Sequence, residues 1–155
     1  MIISSVEHST FVIERDLPAN PRHAFRFWSE AEFKKRWNSC HPDWTMLEDV
    51  LDFRVGGVEA KRWRTAEGDE QTLHAHYLDI VPDQRIIYAY HMSFKGVKLS
   101  ASLVTVEFFP IGTQTRMIFT EQTAFLGGAD ARDQRVSGTE AGLDRLAEAI
   151  AKAGI

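Results

Sequence analysis

Only one cysteine, Cys40, occurs in the 155 residues, so no internal disulfide can form and redox work at that thiol would need a second molecule. A lone thiol agrees with a reducing compartment. Long apolar runs are also missing. No stretch approaches the roughly 18 to 20 residues that cross a bilayer, and residues 1–10 lack the basic start and apolar stretch of a signal peptide. These absences set the expectation of a cytoplasmic chain with no membrane partner. Positive charge is not in excess either: the formal net charge is -4, which argues against a nucleic-acid partner. The one local basic cluster, Arg22, Arg26, Lys34, Lys35 and Arg36, reads as a solvated helix face. Repeats, linkers and low-complexity segments are absent, so residues 1–155 read as a single domain.

What is present is an ordinary globular balance, with 44% hydrophobic and 26% charged residues. Residues 11–17 (FVIERDL) mix β-branched and aromatic types and meet Pro18, which predicts a first strand. Asn20 as a cap and Pro21 at the first helical position then open a short helix with Ala24, Phe25 and Trp28 on one side. Ser29 and Glu32 have capping-box spacing, which predicts a second short helix from about Glu30 with Phe33 and Trp37 on one face. From Trp44 to Phe125 the texture is that of about six strands. They are punctuated at Gly56-Gly57, Glu67-Gly68-Asp69, Pro82-Asp83, Lys95-Gly96 and Ile111-Gly112-Thr113. Links this short demand antiparallel neighbours.

The chain ends in helical period: Leu143, Leu146, Ala147, Ile150 and Ala151 fall on one stripe, with Asp130 as the expected N-cap and Gly154 as the expected stop. A twisted antiparallel sheet curls, and a long amphipathic helix laid across it leaves a gap at one end. Aromatic residues supply the expected lining: Trp28, Trp37, Phe53, Trp63, Tyr88, Tyr90, Phe94, Phe119 and Phe125. By period two, Ile86, Tyr88, Tyr90, Met92 and Phe94 share one strand face, taken as inward, with Ile87, Ala89 and His91 outward. Gly138 and Gly142 inside the last helix each cost about 1 kcal/mol relative to alanine, which suggests close passage of a strand or a ligand. Arg135, Thr139 and Gly142 would then form a thin, partly polar wall.

The local signals match a family in order and spacing. They are residues 21–37 (PRHAFRFWSEAEFKKRW), 52–57 (DFRVGG), 78–90 (LDIVPDQRIIYAY), 119–128 (FTEQTAFLGG) and 135–146 (RVSGTEAGLDRL). Over nearly its whole length the chain resembles the Hsp90 ATPase activator homologue 1-like branch of the helix-grip superfamily, also labelled SRPBCC, START-like or polyketide cyclase-like. The resemblance implies an α+β helix-grip fold. In it a curved antiparallel sheet of six or seven strands wraps a long C-terminal helix, with two short helices after the first strand. Thr139 stands where many members carry tryptophan, which implies a larger or more polar cavity. Members include binding proteins, cyclase-like enzymes and chaperone regulators, so the activity has to come from the site.

The candidate chemistry is sparse. His74 and His76 share a strand face with Cα atoms roughly 6.6 Å apart, but no third ligand is evident and no metal is expected. Glu59, Lys61 and Trp63 also share a face; a rim ion pair is expected there, with an acid/base pair as the alternative. Glu121 and Arg135 could orient the polar end of a ligand or simply bridge strand to helix. No nucleophile or phosphate-cradling motif is present, and no cofactor is implied. Two roles follow. In the first, the cavity binds a small hydrophobic or aromatic molecule, with cofactor-free acid/base chemistry as the reaction open to it. The alternative is an interaction module that regulates an Hsp90-type chaperone. A homodimer is compatible with either.

Overall fold

A computed structural model describes residues 5–39, 41–128 and 130–153. Cys40 and the expected stop at Gly154 lie outside the described residues. The element order is β1 (Glu7–Leu17), α1 (Pro21–Ser29), α2 (Ala31–Lys34), β2 (Thr45–Leu51), β3 (Val58–Arg64), β4 (Glu70–Val81), β5 (Arg85–Phe94), β6 (Val97–Ile111), β7 (Gln114–Phe125) and α3 (Ala131–Lys152). The seven strands form one antiparallel sheet in the order β1-β7-β6-β5-β4-β3-β2. Each expected turn falls between consecutive strands, and the β2 to β7 meander returns the chain beside β1, where Phe11 pairs with Glu121. β1 and β2 are therefore opposite sheet edges, and the α1–α2 segment makes the crossing between them.

The core fills the concave face. On β7, Thr115, Met117, Phe119, Glu121, Thr123 and Phe125 are buried at alternate positions, and β6 answers with Ser100, Ser102, Val104, Val106 and Phe108. The 22 residues of α3 span roughly 33 Å. Only their C-terminal half is sunk into this core, through Leu143, Leu146, Ala149 and Ile150. Ala149 takes the place that the sequence pattern assigned to Ala151, which is exposed. The N-terminal half buries no residue fully and stands over the sheet instead.

Asn20 caps α1 as expected, its side-chain oxygen accepting from the His23 N–H at 2.9 Å. The second helix differs from its expectation. Ser29 belongs to α1, Glu30 occupies the cap position of α2 without a capping bond, and its carboxylate pairs with Arg26. One turn later α2 ends, so Phe33 and Trp37 do not share a helical stripe. Trp37 is buried edge-on to Trp28, with Nε1 donating to the Phe27 carbonyl at 2.8 Å, while Phe33 packs on Phe27. Asp130 precedes α3 where a cap was expected but makes no side-chain capping bond.

Candidate functional site

Two buried ion pairs face the space between sheet and helices. The first is built on β7. Glu121 points inward by strand alternation and is 1% exposed, a position a carboxylate tolerates only when paired and hydrogen-bonded. Its Oε2 accepts from Tyr90 Oη (2.8 Å), Ser102 Oγ (2.9 Å), Thr123 Oγ1 (2.8 Å) and Arg135 Nη1 (3.0 Å). Arg135 reaches down from α3, flanked by the Tyr90 and Phe125 rings, and its Nη2 donates to Ser100 Oγ at 2.6 Å. Burial, together with the Glu121 charge, pushes the Tyr90 phenol well above its usual range, so its proton stays on the oxygen. The strand-to-helix bridge considered for Glu121 and Arg135 is therefore present, and both residues also line the cavity described below.

The second pair corrects two sequence expectations. Lys34, read with its basic neighbours as solvated, is 5% exposed, and Glu59, read as half of a rim pair with Lys61, is 4% exposed. Lys34 Nζ donates to Glu59 Oε1 at 2.6 Å and lies 3.3 Å from Tyr77 Oη, which itself donates to Glu59 at 3.1 Å. Lys61 is also buried but turns away, donating to the Asn38 carbonyl at 2.9 Å beside Asp49. Burial alone would raise the Glu59 carboxyl; the Lys34 ammonium, with Lys61, outweighs it and holds the group below its usual range. Burial likewise pulls the Lys34 amine below its usual range, against the opposing charge of Glu59. Lys34 is the last residue of the one-turn α2, and its side chain reaches Glu59 on β3.

Between the pairs lies a cavity of about 710 Å³. Eleven of the thirteen residues expected to line it do so: Trp28, Trp37, Tyr88, Tyr90, Phe94, Phe119, Glu121, Phe125, Arg135, Thr139 and Gly142. Two do not. Phe53 is packed edge-on between Phe25 and Tyr77, and Trp63 is stacked on Trp44 near the β2 edge, so Trp44 takes the wall position. Lys34, Glu59, Leu73 and Met92 are also among the inner lining, and the exposed Glu67, Gln134 and Arg145 stand on it where it meets solvent. A Cβ built on Gly138 would meet nothing within 4 Å, and one on Gly142 only the Arg145 guanidinium at 3.6 Å. Close passage of a strand is thus not why these glycines are there; they leave the helical wall thin.

Tyr88 sits midway in a row of three phenols, its ring 5.8 Å from Tyr77 and 6.0 Å from Tyr90. The outer two are committed to the two carboxylates. Tyr88 Oη makes no hydrogen bond to a described residue, and the side chain keeps accessible surface although it is enclosed deeply enough for burial to push its pKa well above the usual phenol range. That surface belongs to the cavity wall.

On the convex face His74 and His76 lie with ring centroids 4.9 Å apart, and His91 of β5 stacks on His74 at 5.4 Å. Sequence spacing missed this third imidazole because it arrives by cross-strand pairing of His74 with His91. Among the described residues no group of three or more His, Cys, Asp or Glu side chains is arranged to hold a metal ion. Ser100, Ser102 and Thr123 were missed too, although hydroxyls at inward positions of otherwise apolar strands were the visible signal.

A seven-stranded curved sheet gripping one long C-terminal helix, with two short helices after β1, defines the α+β helix-grip class. Residues 18–153 match the family described as Activator of Hsp90 ATPase homolog 1-like protein, and the chain belongs to that family. Among solved structures it is similar to a putative uncharacterized protein of Rhizobium leguminosarum, with 46% identity, a TM-score of 0.89, and 95% of this chain and 97% of that one covered. It is also similar to the Mll3558 protein of Rhizobium loti, with 42% identity, a TM-score of 0.87, and 94% and 99% covered. An AHSA1-like protein of Aeromonas hydrophila shares the fold at 19% identity and a TM-score of 0.70, with 94% of each chain covered. No protein of curated function matches the chain. No described helix is long and apolar enough to cross a membrane.

Proposed function

We propose that this domain binds a small apolar or aromatic molecule in the cavity between the sheet and α3. The volume, about 710 Å³, falls inside the roughly 300–1,000 Å³ of small-molecule sites, and the wall combines aromatic faces with a few polar groups. The observation that carries the reading is Tyr88: a phenol surrounded by Tyr77, Tyr90 and the cavity, with no described residue as partner, offers a guest one directed hydrogen bond. The guest that suits it is a flat ring system bearing one hydroxyl or carbonyl oxygen.

The test is a thermal-shift and tryptophan-fluorescence titration with naphthalene, 2-naphthol and 2-naphthaldehyde. Trp28 and Trp37 line the cavity, so occupancy should quench emission. Absence of quenching and of any shift across the three, together with an empty protein after purification from the native host, would sink the proposal. A cytoplasmic site of action belongs to the same reading, in keeping with the single cysteine of the sequence; fractionation of the host checks it.

A further inference from the structure

We infer that Lys34 is a carbonyl-capturing amine, which condenses with an aldehyde or ketone borne by the aromatic or apolar guest while Glu59 relays the proton and Tyr77 positions Glu59. The inference rests on the ligand-binding reading above and adds a reaction to it. Of the six lysines in the chain, Lys34 alone lines the cavity. Lys61 is buried but spent on Asn38 and Asp49, and Lys35, Lys95, Lys98 and Lys152 are exposed. The Lys34 amine therefore has Trp28 5.7 Å to one side, Glu59 at 2.6 Å, Tyr77 at 3.3 Å, and the guest volume in front.

A buried ion pair is weak grounds for stability, because desolvating both charges offsets most of their attraction. A buried lysine beside a carboxylate is, on the other hand, what amine catalysis needs: a low-dielectric wall that favours the free amine and an adjacent group to take and return a proton. The direction in which burial moves the Lys34 amine agrees with this.

The step balances without any oxidant or reductant. The Lys34 ammonium passes one proton to the Glu59 carboxylate. The freed nitrogen lone pair adds to the carbonyl carbon, the π pair moves to oxygen, and a nitrogen proton transfers to that oxygen to give a carbinolamine. Glu59 then returns its proton to the hydroxyl, which leaves as water as the nitrogen lone pair forms the C=N bond. The net change is ammonium plus carbonyl to iminium plus water. The iminium keeps the positive charge that Glu59 faced at the start, so the buried electrostatic balance is preserved through the reaction.

The full chain is incubated with substoichiometric 2-naphthaldehyde and sodium cyanoborohydride, which traps the iminium as a secondary amine, and adducts are located by peptide mass mapping. The expected result is a predominant adduct at Lys34, formed at least roughly tenfold faster than at any exposed lysine. Lys34→Arg, checked for folding by circular dichroism, should show only the slow surface reaction. Glu59→Gln, likewise checked for folding by circular dichroism, should slow trapping by roughly tenfold or more. Adducts spread over Lys35, Lys95, Lys98 and Lys152 in proportion to exposure would overturn the proposal, as would an unchanged yield in Lys34→Arg. If 2-naphthol quenches the tryptophans but no Lys34 adduct forms, amine capture falls and ligand binding stands. If neither occurs, both fall.

Discussion

Removing the cation of the Glu121 cluster gives the sharpest test of how this cavity wall is held. In Arg135→Met, Glu121 loses its salt-bridge partner, while Tyr90, Ser102 and Thr123 go on donating to Oε2. Breaking a buried pair from one side typically costs about 3–5 kcal/mol, and three surviving donors place the expected loss near 3 kcal/mol. For a chain of this length that is a fall in Tm of about 6–12 °C. The reciprocal change, Glu121→Gln, is milder. An amide oxygen still accepts from the same hydroxyls, and Arg135, whose side chain is 13% exposed against 1% for Glu121, can turn its charge to solvent. About 1.5 kcal/mol is expected. Equilibrium urea unfolding with unchanged m-values measures both, and the double mutant should show a coupling energy of about 1–2 kcal/mol. The reasoning is refuted if Arg135→Met lies within about 0.5 kcal/mol of the parent, or if Glu121→Gln is the more damaging change.

Three further outcomes are expected. Tyr88→Phe should leave stability within about 0.5 kcal/mol, since no described partner is lost, yet weaken 2-naphthol about tenfold and naphthalene hardly at all; equal weakening of both probes would contradict the assigned hydrogen bond. Gly138→Ala should stabilise by about 1 kcal/mol, because the new methyl meets nothing within 4 Å and helix propensity alone acts, and a loss of stability in thermal unfolding would refute that view. Lys34→Met removes the ammonium that holds Glu59 below the usual carboxylate range, leaving burial to lift it above its unfolded value against partial opposition from Lys61 and Tyr77. A raised carboxyl gives stability that is present below the unfolded pKa and lost as pH rises through the folded one. The penalty of the mutation should therefore grow from about pH 4.5 toward neutrality, and a penalty that is flat in urea titrations across this range would count against the assignment.

Much of the architecture was legible because strands announce themselves twice, by alternation along the run and by turn chemistry at its ends. Period two put Tyr88, Tyr90 and Phe94 on one face of β5, and taking that aromatic face as inward gave their places on the cavity wall. What resisted reading was whatever depended on a neighbour distant in sequence. Lys34 sits among Lys35 and Arg36, and nothing in that run separates the residue aimed at Glu59, 25 positions on, from those facing water. The Ser29–Glu32 spacing suggested a cap, but the intervening Glu30 is drawn to Arg26 and Ser29 is kept inside α1. Phe53 and Trp63 had the right residue type but are engaged off the wall, Phe53 against Phe25 and Tyr77 and Trp63 against Trp44. His91 illustrates the same limit, since strand register rather than spacing brings it to His74.

The long helix is fastened at two separated places, by the Leu143 to Ile150 stripe at one end and by the Arg135 clasp at the other. The intervening turn carries Gly138 and Gly142, and no residue from 136 to 142 is fully buried. Such a beam, pinned at its ends and slender at mid-span, bends where it is least supported. Amide protons of that middle turn should exchange with solvent sooner than those of residues 143–150, which would make the helix itself, rather than any loop, the doorway to the interior.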